Sequence, residues 1–226
     1  MLFRSLPNST VPDSHLLQAY WRVIEAVEAE GQYRDQLGQE LAYHNRIHIS
    51  ETLTALSYFF LIDRQLSHKD RMISLIAMAG HDYAHQGNFF NALEKSQEEI
   101  TAQLIGLNYL AGIPVVDKNI IHSLILGTEH GKIRPNHESF RTTPSDNLLL
   151  SQVLINEADI AASLLPDLSF ELTKKILNER GQQDPSDALV ESAFSSFVSS
   201  VFISSKPALS LLMPHLVTLK TSFQSG

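Results

Sequence analysis

The sequence predicts an all-α fold, a compact helical bundle in a single domain, and three observations carry that expectation. Apolar residues recur at helical spacing through most of the 226 residues. Strand patterns are nearly absent, and the run "IPVV" at 113–116 is too short to build a sheet. The hydrophobic fraction, 43%, fills one sizeable core, whereas the length is short for two independent domains. Residues 1–14 read as a flexible lead and 15–226 as the domain.

The elements follow in order. Leu16, Leu17, Tyr20, Ile24 and Val27 mark a first amphipathic helix entered through the "PDS" turn at 12–14. A second helix is expected over 45–62. Ser67 with Asp70 has the form of a capping box opening a third, which runs to residue 82. Further helical patterns cover 93–111, 117–128, 146–165, 169–180 and 187–204, with a short one after Pro207. In the last long one, Phe194, Phe197, Val198, Val201 and Phe202 repeat as a buried face. Two stretches rich in Pro, Gly, Asp and Asn, 131–147 and 180–187, read as loops.

Composition excludes several classes of function. A net charge of −8 repels phosphate backbones, so neither a nucleic-acid duplex nor an anionic membrane is an expected partner. A small phosphorylated ligand is still compatible, because a local cationic site outweighs a mildly negative surface. Without cysteine there is no disulfide and no thiolate metal site. The start "MLFRSLPNST" has no apolar signal core, and no stretch reaches membrane-spanning length, so a cytoplasmic protein is expected.

Polar residues inside apolar helices carry the chemistry. "AYHNRIH" (42–48) sets His44 and His48 one helical turn apart, and "GHDYAH" (80–85) sets His81 and His85 in the same relation with Asp82 between. Asp159 stands in the mostly apolar "LINEADIAASLL", and "SQEEI" supplies Glu98 and Glu99. Each has an ordinary explanation: a surface histidine pair, a salt-bridged aspartate, a solvated first turn favoured by the helix dipole. His68 and His137 fall in expected loops. Together, though, two buried carboxylates without basic neighbours cost several kcal/mol each. A divalent cation offsets that charge and takes the imidazole lone pairs, and a mixed N/O site leaves positions open for water.

The order His, then His-Asp, then Asp on successive helices resembles the HD superfamily of metal-dependent phosphohydrolases. "YHNRIH" is similar to the YHNxxH signature of class I cyclic-nucleotide phosphodiesterases, "HDYAHQGN" to their HDxxHxG segment and "EADIAA" to their CAD-type motif. "SLILGTEH" (123–130) loosely resembles their segment ending in Thr-Asp. The resemblance spans residues 42–205 and implies a helical bundle of the HD/PDEase type. It implies His48, His81, Asp82 and Asp159 as metal ligands, Asp82 as the bridge between two ions, and His44 as the general acid. It also implies His85 and Glu99 around the second ion's water shell, and Thr128, Phe194, Phe197 and Asn91 near the substrate. The ions implied are zinc at the tighter site and magnesium or manganese at the looser one, a split that agrees with ligand chemistry.

The sequence departs from that pattern where the base is read. With Phe197 aligned to the family's stacking residue, Phe194 stands where a glutamine belongs, and the Asn expected after "HQG" falls on Phe90. The expected activity is therefore cleavage of a phosphodiester, with a hydroxide bridging the two ions as nucleophile and His44 protonating the leaving group. The natural substrate, a small phosphorylated molecule of nucleotide type, need not be cyclic AMP or cyclic GMP. Two alternatives stay open: an HD-type nucleotidase or nucleotide pyrophosphohydrolase, and a non-catalytic metal-bound ligand sensor. A homo-oligomer is compatible with all of them.

Overall fold

The computed structural model describes residues 14–87 and 95–222, and among them eleven α-helices follow one another with no β-strand. Helix α1 (Ser14–Gln36) buries Leu16, Ala19 and Val23 along one stripe. The next two helices start on side-chain caps. Asn45 accepts the Ile47 and His48 N–H groups ahead of α2 (Arg46–Ile62), and Ser67 with Asp70 forms the expected capping box of α3 (His68–Gly80). A second box, Ser96 with Glu99, opens α4 (Gln97–Asn108). Such caps contribute about 1 kcal/mol each and fix where a helix begins.

Beyond them come α5 (Val115–Leu126), α6 (His130–Thr142) and α7 (Asn147–Asp159), the last capped by Asp146. A 3₁₀ turn, Ala162–Leu164, leads into α8 (Pro166–Glu179), whose proline stands where the missing N–H costs nothing. The chain closes with α9 (Asp187–Ser200), α10 (Lys206–Leu211) and α11 (Met213–Ser222).

Two helices occupy the middle. α3 packs against α1, α2, α4, α5 and α7, and α7 packs against α2, α3, α5 and α6. Every residue of α7 from Leu150 to Ala158 is buried, as are Ile73, Ser74 and Ile76 to Gly80 of α3. Their side chains join Leu16, Leu56, Ile105, Ile121, Leu124 and Phe194 in one core. Truncating a fully buried residue such as Leu154 or Ile76 to Ala would cost about 2–5 kcal/mol.

The structure departs from the expected elements in three places. Residues 131–147, expected as a loop, are largely the helix α6, which carries Pro135 in its interior. Burial of His137 and Phe140 together with packing on α7 outweighs the proline, a case of tertiary contact overriding local propensity. His137 is accordingly a buried helical residue, and His68 is the first residue of α3. The single helix expected over 146–165 ends at Asp159, and the one expected over 187–204 ends at Ser200, leaving Val201 and Phe202 beyond it. Of the expected lead over residues 1–14, only Ser14 lies within the described residues, where it begins α1. No helix among the described residues is long and apolar enough to cross a membrane.

Candidate metal centre

Three helix ends meet at one point. His48 stands in the first turn of α2, held by the Asn45 cap, which places its N–H 3.2 Å from Asn45 Oδ1. His81 and Asp82 follow the last residue of α3, and Asp159 is the last residue of α7. The C-terminal ends of α3 and α7 present the negative poles of their dipoles there, which favours a cation. One ligand atom from each of His48, His81, Asp82 and Asp159 lies within 4.8 Å of every other.

The separations match a common ion. His48 Nε2 is 3.0 Å from Asp159 Oδ1 and 3.3 Å from Asp82 Oδ2. His81 Nε2 is 3.2 Å and 3.1 Å from the same two oxygens. Ligands about 2.1 Å from one ion stand about 3.0 Å apart at octahedral angles and about 3.4 Å apart at tetrahedral ones.

One ring nitrogen of His81 is already engaged. Its Nδ1 lies 2.7 Å from the carbonyl oxygen of Met78, which can only accept, so Nδ1 carries the proton. Nε2 faces two carboxylate oxygens, an arrangement that needs a cation or a second proton between them; in the metal-free chain burial lowers the His81 pKa, but Asp82 and Asp159 outweigh it and raise it well above the ordinary value. Asp82 Oδ2 is buried with no hydrogen bond of its own. In the metal-free chain burial pushes the His48 pKa down, but Asp159 and Asp82 outweigh it and raise it to about 9. Two imidazoles and two carboxylates, with no cationic side chain among them, suit a divalent metal.

A second group adjoins the first through Asp82. His44, Asp82 and His85 also offer atoms within 4.8 Å of one another, and the His44 and His85 rings stack with centroids 4.0 Å apart. His44 is not on the α2 helix with His48, as the spacing suggests, but precedes the Asn45 cap in a bend. The ring centroids are nonetheless 5.9 Å apart. Its Nδ1 meets Glu179 Oε1, while Glu179 Oε2 accepts the Tyr43 and His44 N–H groups at 3.0 and 3.1 Å. Burial lowers the His44 pKa, yet Asp82 and Glu179 outweigh it and hold it above the ordinary value.

His85 is the opposite case. Its Nδ1 accepts the Gly87 N–H at 3.1 Å, so the neutral ring carries its proton on Nε2. Burial, reinforced by His44, pushes its pKa down to about 4. In that neutral ring Nε2–H is a hydrogen-bond donor.

The remaining candidates lie elsewhere. Glu99 is exposed and accepts the Ser96 N–H in the α4 capping box, and among the described residues no hydrogen bond or ion pair joins it to His44 or His85. The acid beside His44 is Glu179, at the end of α8, where "KKILNERG" reads as an ordinary polar helix end and gives no signal of its role. The Thr128 hydroxyl donates to Ile125 O at 2.8 Å. Phe194 belongs to the core and stacks on Phe197 at 6.3 Å. Asn91 and Phe90 lie outside the described residues. Neither a scan against protein-family models nor a search of the curated proteins gives a match to this chain.

Proposed function

We propose that the protein is a metal-dependent phosphohydrolase of the HD type that cleaves a phosphodiester of nucleotide character. One observation carries this reading. His48, His81, Asp82 and Asp159, drawn from three helices, converge so that His81 Nε2, its Nδ1 committed to the Met78 carbonyl, faces two carboxylate oxygens.

Zinc held by those four residues, and magnesium or manganese beside Asp82 and His85, would supply Lewis acidity toward phosphoryl oxygens and lower the pKa of water from 15.7 toward about 7. The chain's own residues do the rest. Asp82, common to both groups, ties them together. His85 Nε2–H orients water at the looser group. His44 holds a proton on Nε2 for the departing oxygen, while Glu179 fixes the ring through Nδ1 and stabilises its charged form. This arrangement, a held acid beside an open metal group, is more than a sensor of ligands needs.

A phosphoester panel with added zinc, magnesium or manganese tests the reading. It should contain cyclic nucleotides, nucleoside monophosphates, deoxynucleoside triphosphates and bis-p-nitrophenyl phosphate. Diester cleavage abolished by a chelator is the expected result. Cleavage of monoesters or anhydrides alone would replace it with a nucleotidase or pyrophosphohydrolase, and bound metal without any hydrolysis would replace it with a sensor.

A further inference from the structure

The C-terminal half of α1 and Glu40, in the loop just beyond it, supply no ligand, yet together they grip both segments that carry the stacked histidines. On one side Glu30 and Arg34, an ion pair 2.7 Å apart, reach the turn after Asp82. Glu30 Oε2 accepts the Ala84 N–H at 3.0 Å, and Arg34 Nη1 donates to the His85 carbonyl at 2.7 Å. Ala84 sits at φ 60°, a conformation an alanine holds only when its surroundings impose it.

On the other side Arg46, between the two histidines of "YHNRIH", lies across α1. Its Nε and Nη2 donate to the two Glu40 oxygens at 2.7 and 2.9 Å, and Nη1 donates to Glu28 at 3.0 Å. The planar fork fixes its far end, so the stem has no freedom to swing aside. That stem runs over Gly31: a Cβ built there would come within 2.6 Å of Arg46 Nε and closer still to Cγ and Cδ. Glycine weakens a helix interior, and here it makes the notch through which Arg46 passes. A small cavity of about 30 Å³ is lined by residues of both grips, among them Glu30, Arg34, Arg46 and the two histidines.

We propose that this half of α1, with Glu40 in the loop beyond it, is the positioning element for the His44–His85 pair, the Gly31 notch and the Arg46–Glu40 clasp setting where His44 stands. The functional part of the inference rests on the phosphohydrolase reading; the geometric part does not.

The variants are Gly31→Ala and Arg46→Lys, which keeps the charge but loses the fork. Gly106→Ala is the control, at a helical glycine with nothing within 4 Å of its built Cβ. In metal-free protein, contact between the His44 and His85 ring protons should be visible by NMR in the parent and the control and lost or weakened in both variants. Zinc uptake at His48, His81, Asp82 and Asp159 should persist. With metals added, kcat on a cyclic nucleotide should fall on the order of 10²-fold at unchanged KM, and less on bis-p-nitrophenyl phosphate. Ring contact unchanged in Arg46→Lys and in folded Gly31→Ala would overturn the proposal, as would equal losses on both esters. If Gly31→Ala does not fold, Arg46→Lys decides alone. A parent protein without hydrolysis would sink the phosphohydrolase reading, and the ring contacts would still judge this one.

Discussion

Glu179 holds His44 twice, once through the imidazole Nδ1 and once through the backbone N–H groups at Tyr43 and His44, across 135 residues of chain. Ring and backbone thus share one buried carboxylate as partner. His44→Ala should retain metal but slow cleavage of an ester with a poor leaving group by about 10²–10⁴. Glu179→Gln should give a smaller fall in the same direction. Both losses should shrink on p-nitrophenyl esters, whose leaving group needs little protonation. Steady-state kinetics on the two substrate types decides, and identical losses would remove His44 from the role of acid.

Asp82 belongs to both ligand groups, Asp159 to one. Asp82→Ala should therefore abolish uptake of both ions, whereas Asp159→Ala should weaken the zinc group first. Metal content after dialysis, measured by elemental analysis, separates the two outcomes. Full zinc retention in Asp82→Ala would contradict a shared ligand.

Filling the group should also stabilise the fold, because the unfolded chain cannot assemble it. At a free zinc concentration about 100 times Kd the gain is about 2.7 kcal/mol, which in a chain of this size raises Tm by roughly 5–10 °C. A thermal melt with and without chelator reads this directly. Superimposed melts would speak against binding.

A second buried polar cluster predicts a pH dependence. His137 Nδ1 lies 2.6 Å from Ser204 Oγ, and Glu157 Oε1 accepts the Ser204 and Ser205 N–H groups at 2.6 and 2.9 Å. Burial pushes the His137 pKa down to about 4 and that of Glu157 up to about 7. The two act with opposite sign across an overlapping range, so Glu157→Gln removes the contribution that opposes the histidine. Below pH 6.5 the unfolded state then takes up a proton that folded His137 refuses until pH 4. Stability should fall as pH drops through that window, by about 3 kcal/mol in all. Urea unfolding at pH 7 and pH 4.5 measures it, and a further change to Gln at position 137 should reduce the slope by the His137 share, leaving that of His85, whose pKa is likewise pushed down to about 4.

Two glycines predict opposite signs for the same substitution. A Cβ at Gly127 would run into the side chain of Gln152, which is buried and donates to Leu124 O at 3.1 Å. Gly127→Ala should cost about 1–3 kcal/mol through overpacking. Gly106→Ala, inside α4 with open space around it, should gain roughly 0.5–1 kcal/mol from helix propensity. Chemical denaturation of the two variants compares them.

Much of this molecule could be read along the chain because it is set by near neighbours. Apolar spacing marks α1, α2 and α3, and Ser67 with Asp70 marks where α3 begins. Asp82 and Asp159 stand out because a buried charge without a local partner is costly wherever it occurs, and His48 and His81 because each lies one helical turn from a second histidine. Other features depend on contacts between residues distant in sequence, and only the folded chain decides them. α6 forms despite Pro135 because His137 and Phe140 are buried, and α7 stops at Asp159. Glu179 reaches His44 from a helix end that looks solvated, whereas Glu99, which looked suitable, is used as a cap. Gly31 appears as a weak point in a helix until Arg46 lies across it. Local spacing encodes which face of a helix is apolar and which polar groups need partners; which partner each one meets is a property of helix packing.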